Sequence, residues 1–268
     1  MHARSNPALR IVPQEFAIRR KRRRTNIALE RLAGAALETL LNAIEANDPI
    51  TGMHVRRVAA GALVIADAAG MDEHECKSVE RVALFHDIGK SHEALFDIVH
   101  EGTRLTPAER RAIDTHPERG AEVLAPLEAF YPELPLGVLA HHERWDGRGY
   151  PHRLRAEKIP IQARIVAVAD TFDAVAQSRR YRRGTGADAA FDVIAQGRGT
   201  QFDPAIVDLV LLPPIQALLA QSGETVQVRK QRYSARRKTN RGDAPDVSFR
   251  WRSESLGTRR VQASSNVD

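Results

Sequence analysis

From about Asn26 to Ser222, apolar residues recur at three- and four-residue spacing with charges between them, a pattern that predicts helix after helix. Such segments run from Ala28 to Ala46, His54 to Ala69, Glu73 to Phe85 and Ile161 to Ala176. Period-two alternation is missing from this stretch, so an all-α core without strands is expected. Two helix starts are fully specified. Thr106-Pro107-Ala108-Glu109 places a hydroxyl cap, a proline at the first helical position and a glutamate able to reach back to the cap, predicting a helix from about Pro107 to Asp114. Phe202-Asp203-Pro204 repeats the device with Asp203 as cap, and predicts a last helix from Pro204 through about Ala220.

After Gly223 the periodicity dissolves into Arg, Ser, Asn and Gly. Residues 1–25 carry eight Lys/Arg against one acid, and residues 222–268 carry eleven against five. The ends thus hold +7 and +6 of a net charge of +6, leaving −7 for the middle, so the basic character says little about what the folded part recognises. The expected organisation is a basic, disordered arm over 1–25, a helical domain over 26–221 and a basic, disordered tail over 222–268. Nucleic-acid binding through the arms would rest on charge alone, so nucleic acid is not an expected partner. No segment approaches 18 uncharged apolar residues, so neither a membrane span nor an export signal is expected. The lone Cys76 can form no internal bridge and points to a reducing, cytoplasmic setting. With 43% hydrophobic and 28% charged residues, the composition excludes collagen, a disulfide scaffold and a mainly disordered polymer.

Candidate chemistry lies in the histidines. His86-Asp87 ends an apolar helix and is followed by Gly89-Lys90, while His141-His142 follows Val138, Leu139 and Ala140. Burying such pairs against apolar faces is costly unless something satisfies them, and a metal centre would. Imidazole and carboxylate without thiolate suit Fe, Mn, Co or Zn in an open catalytic site. Asp87 is the candidate bridge between two ions, a spacing used for displacement at phosphorus. Asp170 closes the apolar run Ile165-Val166-Ala167-Val168-Ala169 and must be paired, protonated or metal-bound there.

Taken in order, His54 in Thr51-Gly52-Met53-His54, then His86-Asp87-Ile88-Gly89-Lys90, His116-Pro117-Glu118, His141-His142-Glu143-Arg144-Trp145-Asp146-Gly147-Arg148-Gly149-Tyr150-Pro151 and Val168-Ala169-Asp170, the chain resembles the HD-GYP family of bacterial cyclic di-GMP phosphodiesterases. The resemblance runs from roughly Leu40 to Leu212. It implies an HD-type helical bundle enclosing a binuclear centre of divalent ions, iron or manganese first among them. His54, His86, Asp87 and Asp170 would surround one ion, with Asp87 shared, and His116, His141 and His142 the other. The implied reaction is attack by a metal-held hydroxide at phosphorus, giving linear pGpG. Lys90 would contact the substrate phosphate; if the helix continued, its spacing from His86 would place both on one side. Arg179, Tyr181 and Arg182 would hold the ligand's phosphates, with Arg180 where the family has proline. The loop from Trp145 to Pro151 would border the metals and offer contacts to diguanylate cyclase-type proteins.

Three departures shape these expectations. Where members with a third metal carry glutamate, four residues before the first histidine, this chain has Ile50, so two metals are implied and cleavage beyond pGpG to GMP is left open. After Lys90 the family's Gly-x-Pro gives way to Ser91-His92-Glu93-Ala94-Leu95-Phe96-Asp97-Ile98 at the border of the site. A basic segment of about 25 residues precedes the domain where relatives attach a sensor, so a fused input is not expected. Two other functions stand beside the phosphodiesterase: a phosphohydrolase of another nucleotide, and an adaptor that binds cyclic di-GMP without turnover. Loss of ligands would mark the adaptor, and none of the seven is missing.

Overall fold

Acidic or hydroxyl caps paired with prolines start several helices. In the computed structural model, which describes residues 13–91, 106–178 and 186–222, Asp48 accepts from the amides of Ile50 and Thr51 ahead of Pro49, opening α2 (Pro49–Ala68). Asp72 and Glu75 exchange hydrogen bonds across the first turn of α3 (Glu73–Phe85), whose bounds are those expected. The expected capping box at α4 (Pro107–Ile113) is formed, the Thr106 amide donating to Glu109 at 2.6 Å and the Glu109 amide to the Thr106 hydroxyl at 3.2 Å.

The remaining helices are α1 (Pro13–Asn47), α5 (His116–Leu124), α6 (Glu133–Ala140), α7 (Ile161–Ser178), α8 (Gly186–Gln196), α9 (Pro204–Val210) and α10 (Pro213–Ser222), with a 3₁₀ turn at Ile88–Ser91. Among the described residues there is no strand, only one isolated bridge between Arg198 and Phe202. The all-α expectation holds. α1 begins ahead of the boundary expected at residue 25, because Arg and Lys are good helix formers and the basic run from Arg19 to Arg24 contains no Gly or Pro. Residues 1–12 and 223–268 lie outside the described residues.

One expectation is corrected. The last helix does not continue from Pro204 to Ala220 but breaks after Val210 and resumes at Pro213, with the two pieces bent by 83°. Pro213 and Pro214 supply no backbone N–H, and the proline ring clashes with the preceding turn.

α2 is the central element, packed on α1, α3, α7 and α9. Its buried face, Val55, Val58, Ala62 and Ile65, meets a core that includes Val79, Val82 and Phe85 of α3 and Ile165, Val166 and Val168 of α7. Burial of each Val, Ile or Phe side chain among these favours folding by about 1.5–3 kcal/mol. α3, α6 and α7 pack against one another, and α5 lies on α6 and the 3₁₀ turn, so polar residues at their ends converge on one place. No single helix among the described residues is long and apolar enough to cross a membrane.

Candidate metal centre

Helix C-termini leave carbonyls without intrahelical donors, and three histidines use them. His86 caps α3 and donates Nδ1–H to Ala83 O at 2.8 Å, His141 caps α6 and donates to Val138 O at 2.6 Å, and His116 follows α4 and donates to Ile113 O at 2.7 Å. A carbonyl can only accept, so in each ring Nδ1 carries the proton and Nε2 presents a lone pair inward. His54 differs, standing inside α2 where helix carbonyls already have partners. Its Nδ1 meets Asp173 Oδ2 at 2.8 Å instead, and Asp173 is gripped by Arg57 at 2.6 Å and 2.9 Å.

A close backbone approach joins the two halves. A Cβ on Gly89 would sit 2.1 Å from His116 O and 2.8 Å from Gly120 N, so only glycine lets the turn carrying Asp87 lie against α5. Asp87 is then placed with one oxygen toward each half. Its Oδ2 faces His86 Nε2 at 3.6 Å and His54 Nε2 at 3.9 Å, and its Oδ1 faces His116 Nε2 at 3.4 Å. Asp170, on α7, reaches His54 Nε2 at 3.2 Å.

Two groups of three residues, His54 with His86 and Asp170, and His116 with His141 and His142, each offer ligand atoms within 4.8 Å of one another. One buried atom in this cluster, His86 Nε2, has no hydrogen-bond partner, and the buried Asp87 Oδ1 meets the Lys90 ammonium at 2.8 Å. Converging lone pairs, an orphaned buried acceptor and a nitrogen and oxygen donor set are what divalent cations require, and the residues fit that group.

Electrostatics separate the halves. Burial disfavours charge on His54, but hydrogen bonds to Asp170 and Asp173 overcome it and push its pKa up to about 10. Burial and the neighbouring His116 push His142 down to about 3, and burial with His142 beside it holds His141 well below the usual imidazole range. Burial also opposes charge on Asp87, yet the Lys90 ammonium, 2.8 Å away, keeps it well below the usual carboxylate range. Positive charge is thus favoured on His54 in one half and disfavoured on His141 and His142 in the other.

Lys90 reaches the site by a route other than helical spacing. The α-helix ends at Phe85, and the 3₁₀ turn brings Lys90 back onto Asp87. The loop after His142 is tied down by Glu143, which is buried and accepts from the amides of His152 at 2.7 Å and Leu154 at 3.0 Å. Tyr150 stacks on the His142 ring with centroids 4.9 Å apart and an interplanar angle of 27°. Ile50, where a third-metal glutamate would stand, is exposed.

The structure brings together His54, His86, Asp87, Lys90, His116, His141, His142 and Asp170. Arg179, Tyr181 and Arg182 lie outside the described residues, as does the divergent segment from His92 to Ile98. Sequence reading missed Asp173, Arg57, Glu143 and Gly89 as parts of the site. The first two had a signal: Asp170 with Asp173 and His54 with Arg57 are each three residues apart, hence on one helix face.

The family model described as HD domain matches residues 38–206. The chain belongs to the HD domain family. It is 38% identical over 177 residues to the cyclic di-GMP phosphodiesterase response regulator RpfG of Xanthomonas campestris pv. campestris, covering 65% of this chain and 46% of that protein. It is 36% identical over 174 residues to 3'3'-cGAMP-specific phosphodiesterase 2 of Vibrio cholerae, covering 64% and 33%. To a cyclic di-GMP phosphodiesterase of Thermotoga maritima it is 36% identical over 178 residues, covering 65% and 48%. The chain spans less than half the length of each of these relatives. The HD domain match and the phosphodiesterase names of these relatives agree with the resemblance to HD-GYP proteins drawn from the motifs.

Proposed function

We propose that this chain is a metal-dependent phosphodiesterase that hydrolyses cyclic di-GMP to linear pGpG. The observation that carries the reading is the placement of Asp87, one oxygen toward the His54 half and the other toward the His116 half. His54, His86, Asp87 and Asp170 would hold one divalent ion, and Asp87, His116, His141 and His142 a second. Such ions supply Lewis acidity toward a phosphoryl oxygen and an activated water at neutral pH.

The chain's own residues supply orientation and charge. Helix-end carbonyls keep the Nε2 donors of His86, His116 and His141 aimed inward. Lys90, with its side chain 28% exposed, would donate to a phosphoryl oxygen of the substrate from the solvent side. Arg179, Tyr181 and Arg182 follow α7, the helix that carries Asp170, and their phosphate contacts are proposed from the resemblance. A functional domain over 26–221, which would begin inside α1, a cytoplasmic setting and a partner-binding role for the loop from Trp145 to Pro151 belong to the same proposal.

A second reading has a specific observation in its favour. A relative of nearly equal identity is named for 3'3'-cGAMP, so the same centre would open a hybrid cyclic dinucleotide. One assay separates the readings: purified chain with Mn²⁺ is given cyclic di-GMP and 3'3'-cGAMP separately, with and without chelator. Faster chelator-sensitive loss of cyclic di-GMP is expected. Faster loss of 3'3'-cGAMP selects the second reading, and turnover of neither overturns both.

A further inference from the structure

Three of the site's imidazoles take their tautomer from a carbonyl at a helix end, and His54 has none within reach because it stands mid-helix. We propose that Asp173, clamped by Arg57, is the positioning residue that does this work for His54. Its carboxylate accepts the Nδ1 proton, which leaves Nε2 as a lone-pair donor facing Asp170 and Asp87. The inference rests on the reading of the site as a metal centre and adds to it a residue outside the donor set.

Geometry carries the assignment. Asp173 Oδ2 lies 2.8 Å from His54 Nδ1, and the Arg57 guanidinium engages both oxygens at 2.6 Å and 2.9 Å. Asp173 is 5% exposed, so its charge is desolvated and its orientation fixed by two partners. The arrangement ties α2 to α7 twice at one level: His54 faces Asp170 across the site, while Arg57 and Asp173 sit one turn further on. A plain inter-helix salt bridge would need only Arg57 and Asp173. The imidazole contact is what makes the carboxylate part of the site, since a carboxylate on the outer nitrogen of a metal-bound histidine fixes the ring and raises its basicity.

The test is equilibrium binding of Mn²⁺ to the full chain, read from the paramagnetic resonance of the free ion. Wild type is expected to bind two ions. Asp173→Asn keeps the shape but removes the charge, and it should weaken one of the two sites by about 10- to 100-fold while leaving the other unchanged. The double variant Arg57→Met with Asp173→Leu removes both charges, so neither is left buried alone, and it should lose the same site. A wild-type isotherm in either folded variant overturns the inference while the metal centre stands. A wild-type chain that takes up no Mn²⁺ overturns the metal centre and the inference together. A measurement without variants completes the test: imidazole ¹⁵N spectra of the Zn²⁺-loaded chain should give His54 a protonated Nδ1, and a protonated Nε2 there overturns the inference.

Discussion

Nε2 of His116 and Nε2 of His141 stand 3.1 Å apart, while the other nitrogen of each ring donates to a main-chain carbonyl. Two neutral rings in this arrangement aim lone pairs at each other, which repels unless a positive charge lies between them. Burial with His142 beside it holds His141 well below the usual imidazole range, which disfavours a proton on that ring. A divalent cation accepts both lone pairs without protonating either ring, and the buried Oδ1 of Asp87 faces the same place.

Metal should therefore stabilise the fold. An ion bound only by the native chain adds about 2.7 kcal/mol at a hundredfold excess over its Kd, and one or two such ions would raise Tm by about 5 to 20 °C. Thermal melts of chelator-stripped protein, before and after Mn²⁺ is restored, measure this directly. An unchanged Tm with no ion retained through gel filtration would refute the metal centre.

The stripped chain should also be least stable away from mildly acidic pH. His54 has a folded pKa raised to about 10 from an ordinary 6.5, so its contribution is complete below 6.5 and is lost as pH rises through 10. His142 works in the opposite sense. With its folded pKa depressed to about 3, the unfolded chain takes up a proton below 6.5 that the folded chain refuses, and stability falls as pH drops toward 3. Denaturant melts of stripped protein should show a maximum near pH 6.5 with a decline on both sides. Adding metal should flatten the alkaline limb, because the cation takes the place of the proton on His54. An alkaline limb that is absent, or indifferent to metal, would count against the assignment.

Legibility in the sequence followed the range of the interaction. α3 was readable from its own apolar spacing, and the capping box of α4 because Thr106 and Glu109 act within one turn of their own helix. The donor set was readable because its members stand in recognisable local motifs. The break at Pro213 was present in the residues, but the apolar pattern on either side of it masked the stop. Asp173 was harder, since its meaning depends on a histidine 119 positions away being mid-helix and short of a carbonyl. Gly89 was hardest of all. No local pattern signals that His116 O will lie where its Cβ would be.

Gly89→Ala follows from that contact. The added methyl would stand 2.1 Å from a backbone oxygen and 2.8 Å from a backbone nitrogen, and neither can turn aside as a side chain would. Overpacking of this kind costs about 1–3 kcal/mol or more, and the strain falls on the joint between Asp87 and His116. The variant should melt lower and bind the second ion weakly, as checked by urea unfolding and metal analysis. Gly70→Ala serves as a comparison at a site with open space around it and positive φ, where only backbone strain is felt. Equal metal binding in Gly89→Ala and wild type would show that the turn relaxes without moving Asp87.

Lys90 and Asp87 touch, yet their replacement should have different results. Removing Asp87 takes a carboxylate from both halves, so Asp87→Ala should lose metal uptake and hydrolysis together while helical content persists. Lys90→Met removes a cation that lies 2.8 Å from Asp87 and competes with metal for its charge. Metal uptake should then be retained or strengthened. If the ammonium serves the substrate phosphate, kcat should still fall by about 10²–10³-fold, the usual effect of losing one preorganised stabiliser of developing charge. Full activity in Lys90→Met would reduce the lysine to a placeholder that neutralises Asp87 until metal arrives. Parallel loss of metal would instead make it a structural partner of that carboxylate. Metal stoichiometry and kcat measured on the same samples decide among these outcomes, because only the phosphate-binding role separates the two quantities.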